Sequence, residues 1–182
     1  MTDDTLYATV VMDGDEIATL LSTLDRIRRT FAWKCGGLDA DGLRATTAAT
    51  TMTLGGLLKH LAFVEADWFA VKLRGEPIGP PWNAVDRATD PDWEWHTAAG
   101  DSPDELYALW DAAVARSRAM VSASLAEGGP GRPSRFSWPN GQTPNLRRMV
   151  ADMIEEYARH TGHADLLREA LDGLVGEDPP RA

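Results

Sequence analysis

The sequence contains a single cysteine, Cys35. A lone thiol excludes an internal disulfide and any zinc cluster built from several thiolates, and it fits a reducing compartment such as the cytoplasm. No apolar stretch approaches the roughly 20 residues that cross a bilayer as a helix. The first residues, MTDDTLYATVVMDGDE, lack the basic segment and apolar run of a secretory signal. Positive charge is also short. Against 28 Asp and Glu stand 18 Lys and Arg, for a formal net charge of -10 and a pI near 4.8. Phosphate backbones and anionic lipid headgroups repel such a surface, so neither nucleic acid nor a membrane is expected as a partner. Lysine is the scarcest charge, at Lys34, Lys59 and Lys72 only. With abundant Ala and Gly, that bias toward Arg points to a GC-rich genome. There is no Gly-rich phosphate loop of the P-loop form and no dinucleotide-binding fingerprint.

What the sequence does have is helical periodicity, and 43% hydrophobic residues to build a core. Its 182 residues suit one domain, taken here as 1–182. Four segments carry apolar residues at spacings of three and four. The first runs from Asp15 to Trp33, with Ile17, Leu20, Leu21, Leu24, Ile27 and Phe31 on one face and Gly36-Gly37 beyond. The second runs from Thr53, a capping residue, to Arg74. Its stripe is Leu54, Leu57, Leu58, Leu61, Val64, Trp68 and Val71, and Gly75 and Pro77 stop it. Gly55-Gly56 should let another element pack closely. The third opens on Ser102-Pro103-Asp104-Glu105, a capping box with Pro at its first helical position. It buries Leu106, Leu109, Trp110, Ala113, Val114, Met120 and Val121. The fourth runs from Asn145 to Leu171. Two long connections, 76–101 and 128–144, carry Trp82, Trp93, Trp95, His96, Phe136 and Trp138. These aromatics either line a pocket or plug one end of the fold. Four amphipathic helices without paired strands predict an all-α four-helix bundle with long aromatic loops. Apolar residues such as Trp33 and Trp110 leave a homodimer open.

The fourth helix carries the chemistry. Met149, Met153, Glu156, His160, His163, Leu167 and Ala170 follow the alternating four-and-three spacing of an inward seam. Its ends are apolar and its middle is a carboxylate and two imidazoles. Such groups cost several kcal/mol in a buried seam unless they are paired or bound to metal. Glu156 and His160 lie about 6 Å apart along the axis, so both reach one ion. His60, between Leu57 and Val64 on the second helix, is the third donor. This set suits zinc, with nickel and iron(II) as alternatives, and three donors leave a coordination position open. Blander readings stand beside this one. His60 can be an ordinary core histidine. Glu156 can form an ion pair with Arg159 or Arg168. Cys35, with only Lys34 nearby in sequence to lower its pKa, reads as a buried inert thiol rather than a nucleophile. A di-iron site would need paired Glu-x-x-His segments, and here Glu-x-x-x-His occurs once.

The segments TLGGLLKHLAFVEADWF and EEYARHTGHADLLREALDG resemble the DinB-like superfamily of four-helix-bundle metalloproteins. Within it they are most similar to an uncharacterised actinobacterial branch related to mycothiol-dependent maleylpyruvate isomerase. The resemblance covers most of the chain. It implies one metal ligand on the second helix and two, four residues apart, on the last. Here those are His60, Glu156 and His160, matching the His, Glu, His set of the isomerases. It also implies mycothiol or a similar small thiol, and an electrophilic substrate, as partners. The expected activity is a metal-dependent thiol S-transferase or isomerase. The alternative is a non-catalytic metal-binding or stress-response bundle. No extra domain of the kind the isomerases carry is expected, which argues against maleylpyruvate as substrate. Two positions depart from the pattern. Asp152 stands where many members of the branch have His. His163 stands where Gln or Asp is common. His163 is the candidate catalytic residue, placed to orient a ligand or substrate, to carry a proton, or to replace Glu156 on the metal.

Overall fold

The structure is a computed structural model and describes residues 10–177. Among the described residues six α-helices follow one another: α1 (Glu16–Cys35), α2 (Ala40–Arg44), α3 (Leu54–Glu65), α4 (Trp93–Thr97), α5 (Pro103–Gly128) and α6 (Leu146–Asp172). Among the described residues, extended pairing is confined to two isolated bridges, Thr47 with Thr50 and Pro133 with Asn145. The all-α class and the four long helical segments are as expected. The short helices α2 and α4 were not foreseen, and α4 turns out to matter most.

The chain divides into two compact units. One comprises Met1–Gly37 with Val150–Ala182, and the other Leu38–Met149. In the first, Asp15 caps α1 by accepting from the Ala18 amide at 2.8 Å. Its core contact is Phe31 of α1 edge-on to Tyr157 of α6, with ring centroids 6.0 Å apart. Arg168 reaches back from α6 and donates to the carbonyls of Lys34 and Gly36, at 2.9 and 2.6 Å. These carbonyls have no intrahelical partner at the end of α1, so the guanidinium supplies one. Lys34 in turn pairs with Asp165 at 2.8 Å.

In the second unit α3 packs against α2, α4 and α5. Thr53 caps α3 by accepting from the Gly56 amide at 3.0 Å. The capping box of α5 is complete: the Ser102 amide donates to Glu105, and the Glu105 amide donates to the Ser102 hydroxyl. Beyond Glu65, α3 continues as a π-helical segment, Ala66–Arg74, until Gly75 takes a φ of 71°. Ser117 of α5 donates to the Glu65 carbonyl at this junction, at 3.2 Å. The expected stripe through Val64, Trp68 and Val71 is displaced here. The buried positions are Ala66, Phe69, Ala70 and Leu73 instead. A π turn takes up more residues than an α turn, so the inward face moves along the sequence.

A similar correction applies to α6. Its buried stripe is Leu146, Met149, Val150, Met153, Tyr157, His160, Thr161, Ala164, Leu167 and Arg168. Tyr157 is fully buried where Glu156 was expected to lead the seam, and Ala170 is exposed. A straight helix has 3.6 residues per turn, and a strict seven-residue repeat drifts off its face. Trp110 is buried in α5, so it offers no free apolar surface to a second copy.

Candidate metal centre

His60 sits on α3, one turn after Gly56. Its Nδ1 lies 3.2 Å from Oε1 of Glu94, the middle residue of Trp93-Glu94-Trp95 on α4. Glu94 is 1% exposed. Arg87 grips the same carboxylate, with Nη1 at 2.5 Å from Oε2 and Nη2 at 3.3 Å from Oε1. Nη2 also donates to the Pro91 carbonyl at 2.8 Å. Burial by itself would raise the Glu94 carboxyl. The bonds from His60 and Arg87 outweigh that and hold its pKa down to about 2. Glu94 is therefore ionised at neutral pH.

The Trp95 ring stacks on the His60 ring, with centroids 4.5 Å apart and planes inclined by 24°. Gly56 makes this possible. A Cβ there would come within 3.0 Å of the Trp95 ring. The expectation that Gly55-Gly56 permits close packing thus holds: Leu43 and Leu106 crowd Gly55, and Trp95 crowds Gly56. Around this clamp, Trp82 meets Phe63 and Trp93 edge-on. The aromatics of the first long loop are mostly packing groups for α3. His96 is exposed and pairs with Asp90. Trp138, from the second loop, is 47% exposed and packs on Phe136.

On α6, His160 is buried and Glu156 half-buried. His160 Nε2 faces Glu156 Oε1 at 3.2 Å. Two donors of one tetrahedral zinc, each bonded at about 2.0–2.2 Å, stand about 3.3 Å apart, so the gap matches a shared ion. Of the two arginines weighed as partners for Glu156, Arg159 pairs with Glu155 and Arg168 with Asp172. On its other side, His160 Nδ1 lies 3.3 Å from Nδ1 of His163. Burial, reinforced by His160 and Arg159, pushes the His163 imidazole below its ordinary pKa, and Glu156 opposes this.

His60, Glu156 and His160 each offer one ligand atom, and these atoms lie within 4.8 Å of one another. Asp152 and His163 are not part of that group. Two imidazoles and a carboxylate are a donor set compatible with a divalent metal ion. Cys35 is fully buried, and burial pushes its thiol far up, so it is no nucleophile in the folded chain.

Glu94 and Arg87 were missed at the sequence level. The available signal was a carboxylate flanked by Trp93 and Trp95 in a loop dense with aromatics, where a charge needs a partner. No curated protein matches the chain. The family model described as mycothiol-S-transferase matches residues 19–173, which takes in α2 to α6 whole, nearly all of α1, and all three candidate donors. A match over that much of the sequence agrees with the DinB-like resemblance read from the helices, and the chain belongs to the mycothiol-S-transferase family.

Proposed function

We propose that the protein transfers a small thiol of the mycothiol type to an electrophile, at one divalent ion held by His60, Glu156 and His160. The observation that carries this reading is the group of three ligand atoms within 4.8 Å of one another. The family match supports the choice of thiol. Three protein donors leave a position for a further ligand. A thiol bound to a divalent ion loses its proton and is present as thiolate, the nucleophilic form, at neutral pH. Zinc is the first choice for this donor set, with nickel or iron(II) next.

The chain's own residues do the remaining work. His60 is held by Glu94 and by the Trp95 ring, so its other ring nitrogen, Nε2, is presented in a fixed direction. Glu156 and His160 come from successive turns of one helix and need no loop to align them. His163 stands 3.3 Å from His160 Nδ1, where it fits holding the His160 ring. It is also the candidate to carry a proton for the substrate. As sulfur bonds to the electrophilic carbon, either that carbon's bond to a displaced group breaks and the thiol's proton leaves with the group, or the π bond of an activated alkene breaks and the proton goes to the neighbouring carbon.

The test begins with metal content. The purified protein is expected to hold close to one equivalent of divalent metal. Loaded with Zn²⁺, it is expected to consume mycothiol in the presence of reactive electrophiles. His60→Ala should lose both properties. His163→Ala separates the two roles of that residue: a fall in metal affinity marks holding of His160, and a fall in turnover at full metal loading marks proton transfer. One equivalent of metal with no turnover, across several small thiols and a broad set of electrophiles, would leave the non-catalytic metal-binding reading.

A further inference from the structure

A histidine ligand needs one ring nitrogen free of its proton and aimed at the ion. The two donors of α6 obtain their alignment from helix spacing. His60 has no such neighbour on α3, where Leu57, Leu61 and Val64 surround it in sequence. Its alignment comes from elsewhere. We infer that Glu94 is a positioning residue: its carboxylate holds the Nδ1 proton of His60 and thereby presents Nε2 to the metal. This rests on the metal reading above.

Four observations carry it. First, both Glu94 oxygens accept from the Arg87 guanidinium, at 2.5 and 3.3 Å, and a carboxylate paired in this way accepts hydrogen bonds, so in the 3.2 Å contact His60 Nδ1 is the donor and carries the hydrogen. The neutral ring then keeps its lone pair on Nε2. Second, Glu94 is 1% exposed, and its other partner is Arg87, which is tied to the Pro91 carbonyl. The carboxylate is anchored and does not follow the histidine. Third, Trp95 stacks flat on the imidazole and blocks rotation of the ring out of this plane. Fourth, Gly56 leaves the room that the Trp95 ring occupies. A surface ion pair would need none of these. The Glu94 oxygens are outside the group of ligand atoms, so its part is to orient a ligand rather than to be one. A carboxylate on the far nitrogen also raises the basicity of the ring, and losing such a partner typically lowers metal affinity 10–100-fold.

The experiment uses the full chain with Zn²⁺ as the probe, in competition with a chromophoric chelator. A second readout is taken without metal: the ¹⁵N shifts of the His60 ring, near pH 8. The unaltered protein should show the hydrogen on Nδ1 of His60. Glu94→Gln keeps an acceptor, so it should retain that tautomer and lose less than about 10-fold in affinity, the lower bound for losing the partner outright. Glu94→Ala should lose about 10–100-fold in affinity and shift His60 toward the Nε2–H form. If Glu94→Ala binds Zn²⁺ as tightly as the unaltered chain, the inference falls and the metal reading stands. If the unaltered chain itself binds no Zn²⁺, both fall. Should Glu94→Ala fail to fold, the unaltered protein still decides. A neutral His60 with its hydrogen on Nε2 overturns the inference, because Nε2 would then have no lone pair for an ion.

Discussion

The two histidines proposed as ligands are held in opposite ways. On its own helix His160 faces Glu156, four residues before it, and His163, three residues after it, at 3.2 and 3.3 Å. His60 takes its partner from Glu94, 34 positions along the chain, on a five-residue helix inside a long loop. The first arrangement exists wherever the helix exists. The second exists only when the loop 76–101 has folded down with Arg87, Glu94 and Trp95 in place. In the proposed site the α6 donors depend on their own helix, and His60 depends also on the loop.

The largest expected effect breaks the loop side. Arg87→Ala leaves the Glu94 carboxylate buried with one strong partner fewer. Breaking a fully buried pair costs about 3–5 kcal/mol, and the Arg87 side chain is one-third exposed, so about 3 kcal/mol is expected in metal-free unfolding by urea. The matching change on α6, Arg159→Ala, removes an exposed pair with Glu155 and should cost about 0.3–0.5 kcal/mol at most. If the two variants prove equally stable, the contrast between the two histidines is wrong.

Metal-dependent stability comes next. At free Zn²⁺ of about 100 times its Kd, binding adds about 2.7 kcal/mol. For a chain of this size each kcal/mol moves Tm by about 2–4 °C. Both His60→Ala and His160→Ala should abolish that gain in a thermal melt. A gain that survives either change removes that residue from the site.

Gly56→Ala is smaller. The added methyl meets the Trp95 ring at 3.0 Å, and overpacking typically costs about 1–3 kcal/mol, offset by about 1 kcal/mol from the better helix former. A net loss of about 1 kcal/mol is expected, together with weaker Zn²⁺ binding because Trp95 backs away from His60. A stabilised variant with unchanged affinity would show that the ring stacking is incidental. The smallest effect is on Cys35. Its thiol should resist an aromatic disulfide reagent in the native protein and react within minutes in denaturant. Rapid reaction under native conditions would contradict its burial.

Spacing made much of this visible without coordinates. Glu156 and His160 four apart, the capping box at Ser102 and Glu105, and the stops at Gly36 and Gly75 are local signals with local causes. The errors arose where a period had to be extrapolated. On α6 the true inward residue is Tyr157, because the seven-residue repeat drifts against 3.6 residues per turn. Beyond Glu65 the α3 stripe shifts because the helix widens to a π segment, and nothing in ADWFAVKLR, Ala66–Arg74, marks that change by periodicity alone. The partners of Arg159 and Arg168 were also open in sequence. Tertiary packing sends Arg168 to the end of α1 and to Asp172.

The sequence by itself determined the four long helical segments, the acidic balance of charge and the donor types, because these depend on residues three or four apart and on composition. The tertiary structure alone decided that Glu94 and Arg87 belong with His60. A buried carboxylate finds its partners through the closure of a long loop, and that closure is written in packing around Gly56, Phe63 and Trp95 rather than in any short-range pattern.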